Sequence, residues 1–401
     1  MRKKLDIIDV LKSFFRDTRV VFIRELKQMF SRPVYIFGTV GTIVFCCIFF
    51  STLMYQGLPM KVPVGIVDND HSSLSRRFVR EFNANPGITV YKQYNSHREA
   101  RMEMQEGKIF GFVEVPENMY SDILSNRRPN IAVYVTESFM VPGTLAYKSF
   151  LQLSNLASGA IQREFLRARG KSEHEIMGLI QPIVVDSHYV ENPWSNYGVY
   201  LIDVILPGIL QLVIILMTVF AIGYELKMKT TRKWIVAAGL SFPAAFTGKL
   251  LPYTILYLAL GFGLEIFMYK VLNYPLSAPL YLMMINMFLM VIASEAVGVF
   301  MIGLFPVLRD GLSFASIYSI LSLSIAGMTF PLENMWPPFS ALGQLFPLRH
   351  YFLIYVHSGL YGGGFETCWI HYVVLLLFLF LPVLVLKRLS KAMVYQNYPL
   401  K

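Results

Sequence analysis

The chain has 401 residues, of which 55% are hydrophobic and 15% are charged, and its formal net charge is +10. A soluble domain carries about 25% charged residues, so the composition excludes an ordinary soluble protein and indicates an integral membrane protein. We interpret the basic excess as a signal of membrane orientation and of contact with anionic lipid, not of nucleic-acid binding. The His and Cys spacings match no metal site, and no cofactor bound by this chain is expected.

Residues 1–32 predict an amphipathic helix that lies on the cytoplasmic surface of the membrane. Apolar residues recur there at helical spacing, and basic residues lie mainly on the other faces. Pro33 is expected to end this helix and to turn the chain into the bilayer. The apolar residues are Ile7, Leu11, Phe14, Phe15, Phe22, Leu26 and Met29.

Six segments are long and apolar enough to cross roughly 30 Å of hydrocarbon. Lys and Arg concentrate in the first 32 residues, which hold nine of them, in the loop after the second segment and beside the tail 389–401. Since short cytoplasmic loops carry an excess of Lys and Arg, both termini are predicted to be cytoplasmic. The predicted transmembrane helices cover residues 33–55, 200–224, 250–269, 280–305, 312–330 and 370–386, with a cytoplasmic loop at 225–249.

The polar stretch 56–199 predicts an extracytoplasmic α/β domain. It holds 15 basic and 15 acidic side chains and no cysteine, so its fold does not depend on disulfides. Short strands alternate with helices, which favours a mixed α/β module. The predicted strands are 62–67, 88–91, 109–115 and 131–135, a long helix covers 141–169, and a return strand covers 183–190. The predicted fold class is therefore an α-helical integral membrane protein with six transmembrane helices and an inserted extracytoplasmic mixed α/β domain.

Two acidic residues follow the first predicted strand, and a catalytic pair of carboxylates is one interpretation of them. Asp68 and Asp70 flank Asn69, a turn composition, and Ser72 or Ser73 follows as a candidate helix cap. We interpret the two carboxylates as turn and cap residues.

Charged residues inside the predicted spans need a physical reason, because each costs roughly 2.5 to 3.5 kcal/mol at mid-membrane. Glu295 lies near the middle of the fourth span beside Ser294. Two interpretations stay open: the pair lines a substrate path or carries a proton, or Glu295 is hydrogen-bonded to a neighbouring helix. Asp203 and Glu265 are expected to reach the outer interface.

The sequence contains no recognisable nucleotide signature. Gly248-Lys249 is followed by Leu250 and lacks the upstream glycine of a P-loop. Transport against a gradient requires an energy source, so ATP and Mg²⁺ are expected on a separate subunit. The cytoplasmic surfaces that could contact such a subunit are the N-terminal helix and the segment from Glu225 to Trp234.

Several short motifs occur in a specific order along the chain. Arg24-Glu25-Leu26-Lys27-Gln28-Met29-Phe30-Ser31-Arg32-Pro33 precedes one span, and Val64-Gly65-Ile66-Val67-Asp68 opens the α/β domain. Phe330-Pro331 with Asn334-Met335 precedes the last span. Over nearly the whole chain, this order resembles the permease subunits of bacterial type-two ABC exporters.

The resemblance implies a coupling helix after the second span that touches the ATPase. In the family, an acidic residue opens this loop and Gly-Thr follows a turn later; here Glu225 and Thr230 match, and Lys229 stands at the Gly position. The residues to which the resemblance assigns ATPase coupling are Glu225, Thr230, Trp234, Arg24 and Glu25.

The loop 331–369 before the last span is amphipathic and rich in Pro and aromatic residues. Such rings anchor well at the outer interface. The family resemblance implies an alternative, in which partly re-entrant helices form an outer gate that includes Phe330, Pro331, Met335 and Trp336.

The leading hypothesis is a non-catalytic permease subunit of an ABC exporter in the bacterial inner membrane. It would form the efflux conduit as a dimer with a second copy or a homologue and would be driven by a cytoplasmic ATPase. A periplasmic adaptor and an outer-membrane channel are further possible partners. The alternative is a membrane-anchored extracytoplasmic ligand-binding or sensor protein. A membrane-embedded enzyme is disfavoured, because His, Asp and Glu do not converge at one bilayer depth.

Overall fold

The computed structural model describes residues 7–125, 127–395 and 398, with side chains described from Leu11 onward. The predicted helix before Ile7 and the end of the predicted tail lie outside the described residues. The chain forms two compact units, Gln56–His188 and a second one that joins the chain up to Tyr55 to the chain from Tyr189 onward. We call them the inserted unit and the helical unit. The inserted unit ends before residue 199, because the segment after His188 packs with the helical unit.

The helical unit begins with helix α1 (Ile7–Ser31), which ends where the position of Pro33 predicts. Arg32 is extended, with φ −123° and ψ 113°, because the residue before a proline avoids helical angles. The buried face of α1 includes Glu25, whereas Phe15 is 67% exposed. The chain continues through α2 (Pro33–Ile36), a π-helical turn (Phe37–Gly41) and α3 (Thr42–Leu53).

The inserted unit is built on a four-stranded sheet with the strand order β2-β1-β3-β4. Strand β1 is parallel to both β2 and β3, and β4 is antiparallel to β3. Strands enclosed by parallel neighbours are buried on both faces, which explains the apolar sequence of β1. The elements are β1 (Val62–Asp68), α4 (Ser73–Ala84), β2 (Ile88–Tyr94), α5 (His97–Gln105), β3 (Gly111–Val115), α6 (Met119–Leu124), β4 (Ala132–Val135), α7 (Met140–Ala168) and α8 (Glu173–Ile180).

The four strands predicted before residue 136 are confirmed, but the return strand predicted at 183–190 is wrong. That segment is irregular, and Ile183 is 77% exposed. β-branched residues form a strand only when a neighbouring strand pairs with them, and the described part of the chain offers none here.

The turn after β1 has the local role predicted for its acidic residue. Asp68 Oδ1 accepts hydrogen bonds from the backbone N–H groups of Asp70 at 3.1 Å and His71 at 3.2 Å. Ser72 caps α4, since its hydroxyl accepts the N–H of Ser75 at 3.1 Å. The prediction of a turn and a helix cap is confirmed.

The rest of the helical unit packs around two long central helices, α9 and α12. Helix α9 contacts α3, α11, α12 and α13, and α12 also contacts α16 and α17. Short π-helical segments follow α11 at Phe267–Val271 and α15 at Tyr355–Leu360. The helices are α9 (Tyr197–Lys227), α10 (Thr231–Ala237), α11 (Phe242–Ile266), α12 (Leu280–Leu304), α13 (Leu308–Ser324), α14 (Pro337–Gly343), α15 (Pro347–Ile354), α16 (Phe365–Phe378) and α17 (Leu381–Tyr395).

Five helical segments among the described residues are long and apolar enough to cross a membrane: Pro33–Leu53, Tyr197–Lys227, Phe242–Val271, Leu280–Leu304 and Phe365–Tyr395. The segment predicted as the fifth span, 312–330, instead forms α13, which has 17 residues and ends at Ser324. At 1.5 Å per residue, α13 is about 26 Å long. The last segment extends beyond the predicted 370–386 at both ends.

The segment predicted as the cytoplasmic loop 225–249 contains a short helix, as the family resemblance implies, and it is bounded more narrowly than predicted. Helix α9 runs to Lys227, and α11 already begins at Phe242. The start of α11 has recognisable signals, since Ser241 accepts the N–H of Ala244 at its N-cap and Pro243 occupies the first turn. Lys249 therefore lies inside a helix.

Candidate functional site

Four charged side chains meet at one end of the helical unit, and we call them the four-charge cluster: Arg24, Glu25, Glu225 and Lys249. Arg24 donates to Glu25 at 2.5 Å and to Glu225 at 2.7 Å. The Lys249 ammonium lies 2.8 Å from Glu25 Oε2 and 3.5 Å from Glu225 Oε1. The two carboxylates and Lys249 are at most 2% exposed. The cluster is neutral as a whole and joins α1 to the end of α9 and to the start of α11.

The loop after α9 closes over this cluster. Thr230 donates its hydroxyl to Glu225 Oε2. Trp234 is fully buried, its indole N–H donates to the Ala245 carbonyl at 3.1 Å, and the Lys249 ammonium lies 4.8 Å from the centre of its ring. Helix α10 is thereby fixed to the same charges that hold α1.

Lys229 stands where the family has glycine, and its backbone adopts the conformation that glycine favours. Lys229 has φ +55°, the left-handed conformation that glycine adopts most readily. The N–H of Thr230 donates to the Glu225 carbonyl at 3.0 Å, and the N–H of Lys229 donates to the Leu226 carbonyl at 3.2 Å. These two bonds form a Schellman motif, the helix end that favours glycine at this position. The same turn is therefore made here with a lysine.

Helix α1 approaches α11 closely at Gly248. A Cβ atom at Gly248 would lie 2.6 Å from the Thr18 carbonyl oxygen and 2.7 Å from Val21 Cβ. Real Cβ atoms do not come so close to a backbone, so glycine permits the contact. This close packing brings Glu25 of α1 within hydrogen-bond distance of Lys249, the residue after Gly248.

The five residues predicted for coupling lie together, but most of them are not at the surface. Glu25, Glu225 and Trp234 are buried, so they cannot touch a partner directly. Lys249 was missed because its segment was predicted to be a loop; a lone charge in an apolar helix is the signal that could have identified it. The exposed residues around α10 include Lys227, Met228, Lys229, Arg232, Lys233, Val236 and Leu240.

Glu295 and Ser294 form hydrogen bonds with different helices. Glu295 is 5% exposed and accepts the hydroxyl of Thr254 at 2.7 Å, which joins α12 to α11. Ser294 donates to the Met290 carbonyl of its own helix at 2.6 Å. The geometry matches the interpretation in which Glu295 bonds a neighbouring helix, and a conduit role stays a prediction.

The expectation that Asp203 and Glu265 reach the interface is wrong. Both side chains are fully buried in the helical unit. Asp203 accepts the hydroxyl of Tyr355, and Glu265 accepts the hydroxyl of Tyr351 at 2.8 Å. Sequence position alone placed them near helix ends, but α15 and the following turn fold over them.

The loop 331–369 places its predicted gate residues at the surface. Phe330 is 51% exposed and Trp336 is 69% exposed. Pro331 is exposed as well, and Met335 packs at the edge of a small cluster around Phe346. The buried residues of this loop include most of α15, whose Leu348 N–H donates to Gln211 Oε1 at 2.7 Å.

Arg349 and His350 of α15 are also buried. Arg349 donates to the Ala326 carbonyl at 3.1 Å, and His350 lies 2.9 Å from the Gln344 carbonyl through Nε2. Burial lowers the pKa of His350 below its ordinary value. Because a carbonyl can only accept, Nε2 of His350 carries a proton, and a neutral His350 presents its Nδ1 lone pair to His371 at 3.2 Å. Within the described residues, no group of three or more His, Cys, Asp or Glu side chains is arranged to hold a metal ion.

Long apolar helices around a buried, neutral charge cluster define a multi-pass integral membrane protein. A family model described as "ABC-2 family transporter protein" matches residues 33–386. The match covers most of the chain, which therefore belongs to the ABC-2 transporter family. The chain is accordingly a transport component of the permease type.

Two relatives with the same name are similar to this chain. "Inner membrane transport permease YhhJ" of Escherichia coli (strain K12) is 24% identical over 322 residues, which cover 78% of this chain and 81% of the relative. The protein of the same name from Shigella flexneri matches with the same identity and coverage.

Proposed function

We propose that this chain is the membrane-spanning permease subunit of an ATP-driven exporter, paired as a dimer and driven by a separate ATPase that binds ATP and Mg²⁺. The observation that supports this proposal best is the four-charge cluster. It connects the N-terminal helix, the end of α9 and the start of α11 through buried ion pairs. A force applied at this end is thereby shared by three helices.

The contact with the ATPase is made by the exposed surface of α10 and its preceding turn. Arg232 and Lys233 are exposed there beside Met228. The buried Trp234 and Glu225 act as positioning residues, which hold α10 against α11 and α9. Movement of α10 is therefore passed to the bundle through the Trp234–Ala245 hydrogen bond and the buried charges.

The proposed topology has six spans, with α13 as the shortest. Both termini are cytoplasmic, and the inserted unit with its α/β fold is extracytoplasmic, as the distribution of Lys and Arg predicts. The location is the bacterial inner membrane. A second permease copy or homologue completes the conduit, and a periplasmic adaptor and an outer-membrane channel are further candidate partners.

The test is co-purification of the full chain with the products of its neighbouring genes, among which the ATPase is expected. Arg232→Glu with Lys233→Glu reverses the exposed charge of α10 and is expected to abolish recovery of the ATPase. Lys270→Glu, an exposed charge reversal in the turn after α11, serves as the control and is expected to retain it. Equal ATPase recovery from both variants would contradict the assigned contact surface.

Coupling is tested separately from binding. Glu225→Gln removes one negative charge from the buried cluster and is therefore expected to lower Tm, and in the folded protein it is expected to remove the dependence of ATP hydrolysis on transport. Disruption of residues 226–234 is expected to remove the same dependence. Transport that continues at full rate in the absence of any ATPase would contradict the proposed function itself.

A further inference from the structure

A second buried polar group lies at the other end of α9, and we call it the carboxyl–tyrosine cluster: Asp203, Glu265, Tyr269, Tyr351 and Tyr355. Asp203 and Glu225 are separated by 22 residues of one helix, which is about 33 Å. Tyr355 donates to Asp203, and Tyr351 donates to Glu265 at 2.8 Å. Each carboxyl group is therefore held by one phenol from α15 or the π-helical turn that follows it.

The cluster has polar atoms that the protein does not satisfy. Asp203 Oδ1, Glu265 Oε2 and the Tyr269 hydroxyl are buried, and none of them has a hydrogen-bond partner among the described residues. Tyr269 is 6% exposed, and its ring centre lies 6.4 Å from that of Tyr355. Buried polar groups are normally paired, so these three oxygens mark the cluster as a candidate binding site.

The charge of the cluster identifies the ligand as cationic. Tyr351 and Tyr355 are four residues apart on one helical face, so the two carboxyl groups that accept their hydroxyls lie near each other and repel each other when ionised. The titratable groups that face them are the phenols of Tyr269, Tyr274, Tyr351 and Tyr355. No Lys, Arg or His of the described chain forms an ion pair with either carboxylate, and Lys270 is exposed to the outside of the bundle. Two uncompensated carboxylates in a water-free interior are strongly unfavourable.

We propose that Asp203 and Glu265 form a proton-binding site, which holds at least one proton on the pair while this end of the helical unit is closed to water. Each bound proton comes from water and converts a carboxylate to a carboxylic acid. A proton fits this site because it needs no cage of ligands, whereas the described residues arrange no group of three metal-binding side chains.

The site couples protonation to hydration. Ionisation of the pair requires solvation of the charge, and it is unfavourable while Tyr351 and Tyr355 cover the two carboxyl groups. Acid pH therefore favours the closed arrangement, and alkaline pH favours the hydrated one.

The experiment is infrared spectroscopy of the purified full-length chain in lipid nanodiscs, from about pH 5 to about pH 9, a range that covers ordinary and burial-shifted carboxyl titration. The wild type is expected to keep a protonated-carboxyl band at neutral pH, part of which is lost in Asp203→Asn with Glu265→Gln. Asn and Gln resemble the neutral acids in shape, so Tm is expected to be retained. Glu295→Gln serves as the control, because it removes a buried carboxyl group outside the cluster. When it is combined with the double variant, its change in the infrared spectrum is expected to add to that of the double variant.

A second variant keeps both carboxyl groups. Tyr355→Phe removes a hydrogen bond that favours ionised Asp203, so the pH midpoint of the band is expected to rise. An identical band in the wild type and the folded double variant would overturn the proposal, as would an unchanged midpoint in Tyr355→Phe. Loss of the band on addition of Na⁺ or K⁺ at fixed pH would show that a metal cation occupies the site, which also overturns it.

Discussion

Replacement of Lys249 by methionine is the most direct perturbation of the four-charge cluster. Methionine keeps an unbranched apolar stem of nearly the same length and removes the ammonium group with its charge and hydrogen bonds. Glu25 and Glu225 then share Arg24 as the single remaining cation, and Glu25 loses its 2.8 Å partner. Both carboxylates remain buried, so one negative charge stays uncompensated in the interior.

The size of the effect follows from burial. Loss of one partner from a buried ion pair costs about 3–5 kcal/mol, and Lys249 and Glu25 are 1% and 0% exposed. A unit of this size loses about 2–4 °C of Tm per kcal/mol. We therefore expect Lys249→Met to lower Tm by roughly 10 °C.

The assay is thermal unfolding of the purified chain in detergent, with Lys270→Met as the matched control. The control removes the same charge from an exposed position of the turn after α11, where substitutions change stability by about 0.5 kcal/mol or less. Glu25→Gln added to Lys249→Met restores neutrality around the 2.7 Å Arg24–Glu225 pair and is expected to recover about half of the loss or more. If Lys249→Met is no worse than Lys270→Met, or if Glu25→Gln deepens the loss, the electrostatic reasoning is refuted.

Three further predictions concern single positions. Lys229→Gly is expected to be more stable than Lys229→Ala by about 1 kcal/mol, because only glycine adopts φ +55° without a steric cost; equal Tm values would contradict this. Ser72→Ala removes the cap of α4 and is expected to cost about 1 kcal/mol in chemical unfolding of the inserted unit, while unchanged unfolding would deny the cap. Glu295→Gln keeps an oxygen for the Thr254 hydroxyl, so export is expected to be unaltered across pH; a pH-dependent loss at the same Tm would assign Glu295 to the conduit.

The sequence predicted features whose causes are local. The four strands and the Ser72 cap are visible in short patterns of apolar and turn residues. The irregular segment 183–190 shows the limit of this reasoning, since a strand also needs a partner that lies elsewhere in the chain.

The buried charges could not be predicted in the same way. Arg24 and Glu225 are 201 positions apart and meet only because α1 packs on α11 beside Gly248. For Asp203 and Glu265, the position along the helix predicts the depth in the membrane but not the side of the helix on which the side chain lies. Both side chains are buried because α15 and the turn after it fold over them. The family resemblance predicts a role for Glu225 and Thr230. It does not predict one for Lys249, which joins the cluster because α11 begins at Phe242, earlier than the sequence indicates.

The close packing at Gly248 has a consequence for how this protein tolerates variation. The atom that a Cβ at position 248 would meet first is the backbone oxygen of Thr18, which every amino acid possesses. A saturation library should therefore be asymmetric: position 248 accepts glycine alone, whereas position 18 accepts a range of small side chains. Helix α1 contributes a backbone oxygen to this contact, and α11 contributes a residue that has no side chain.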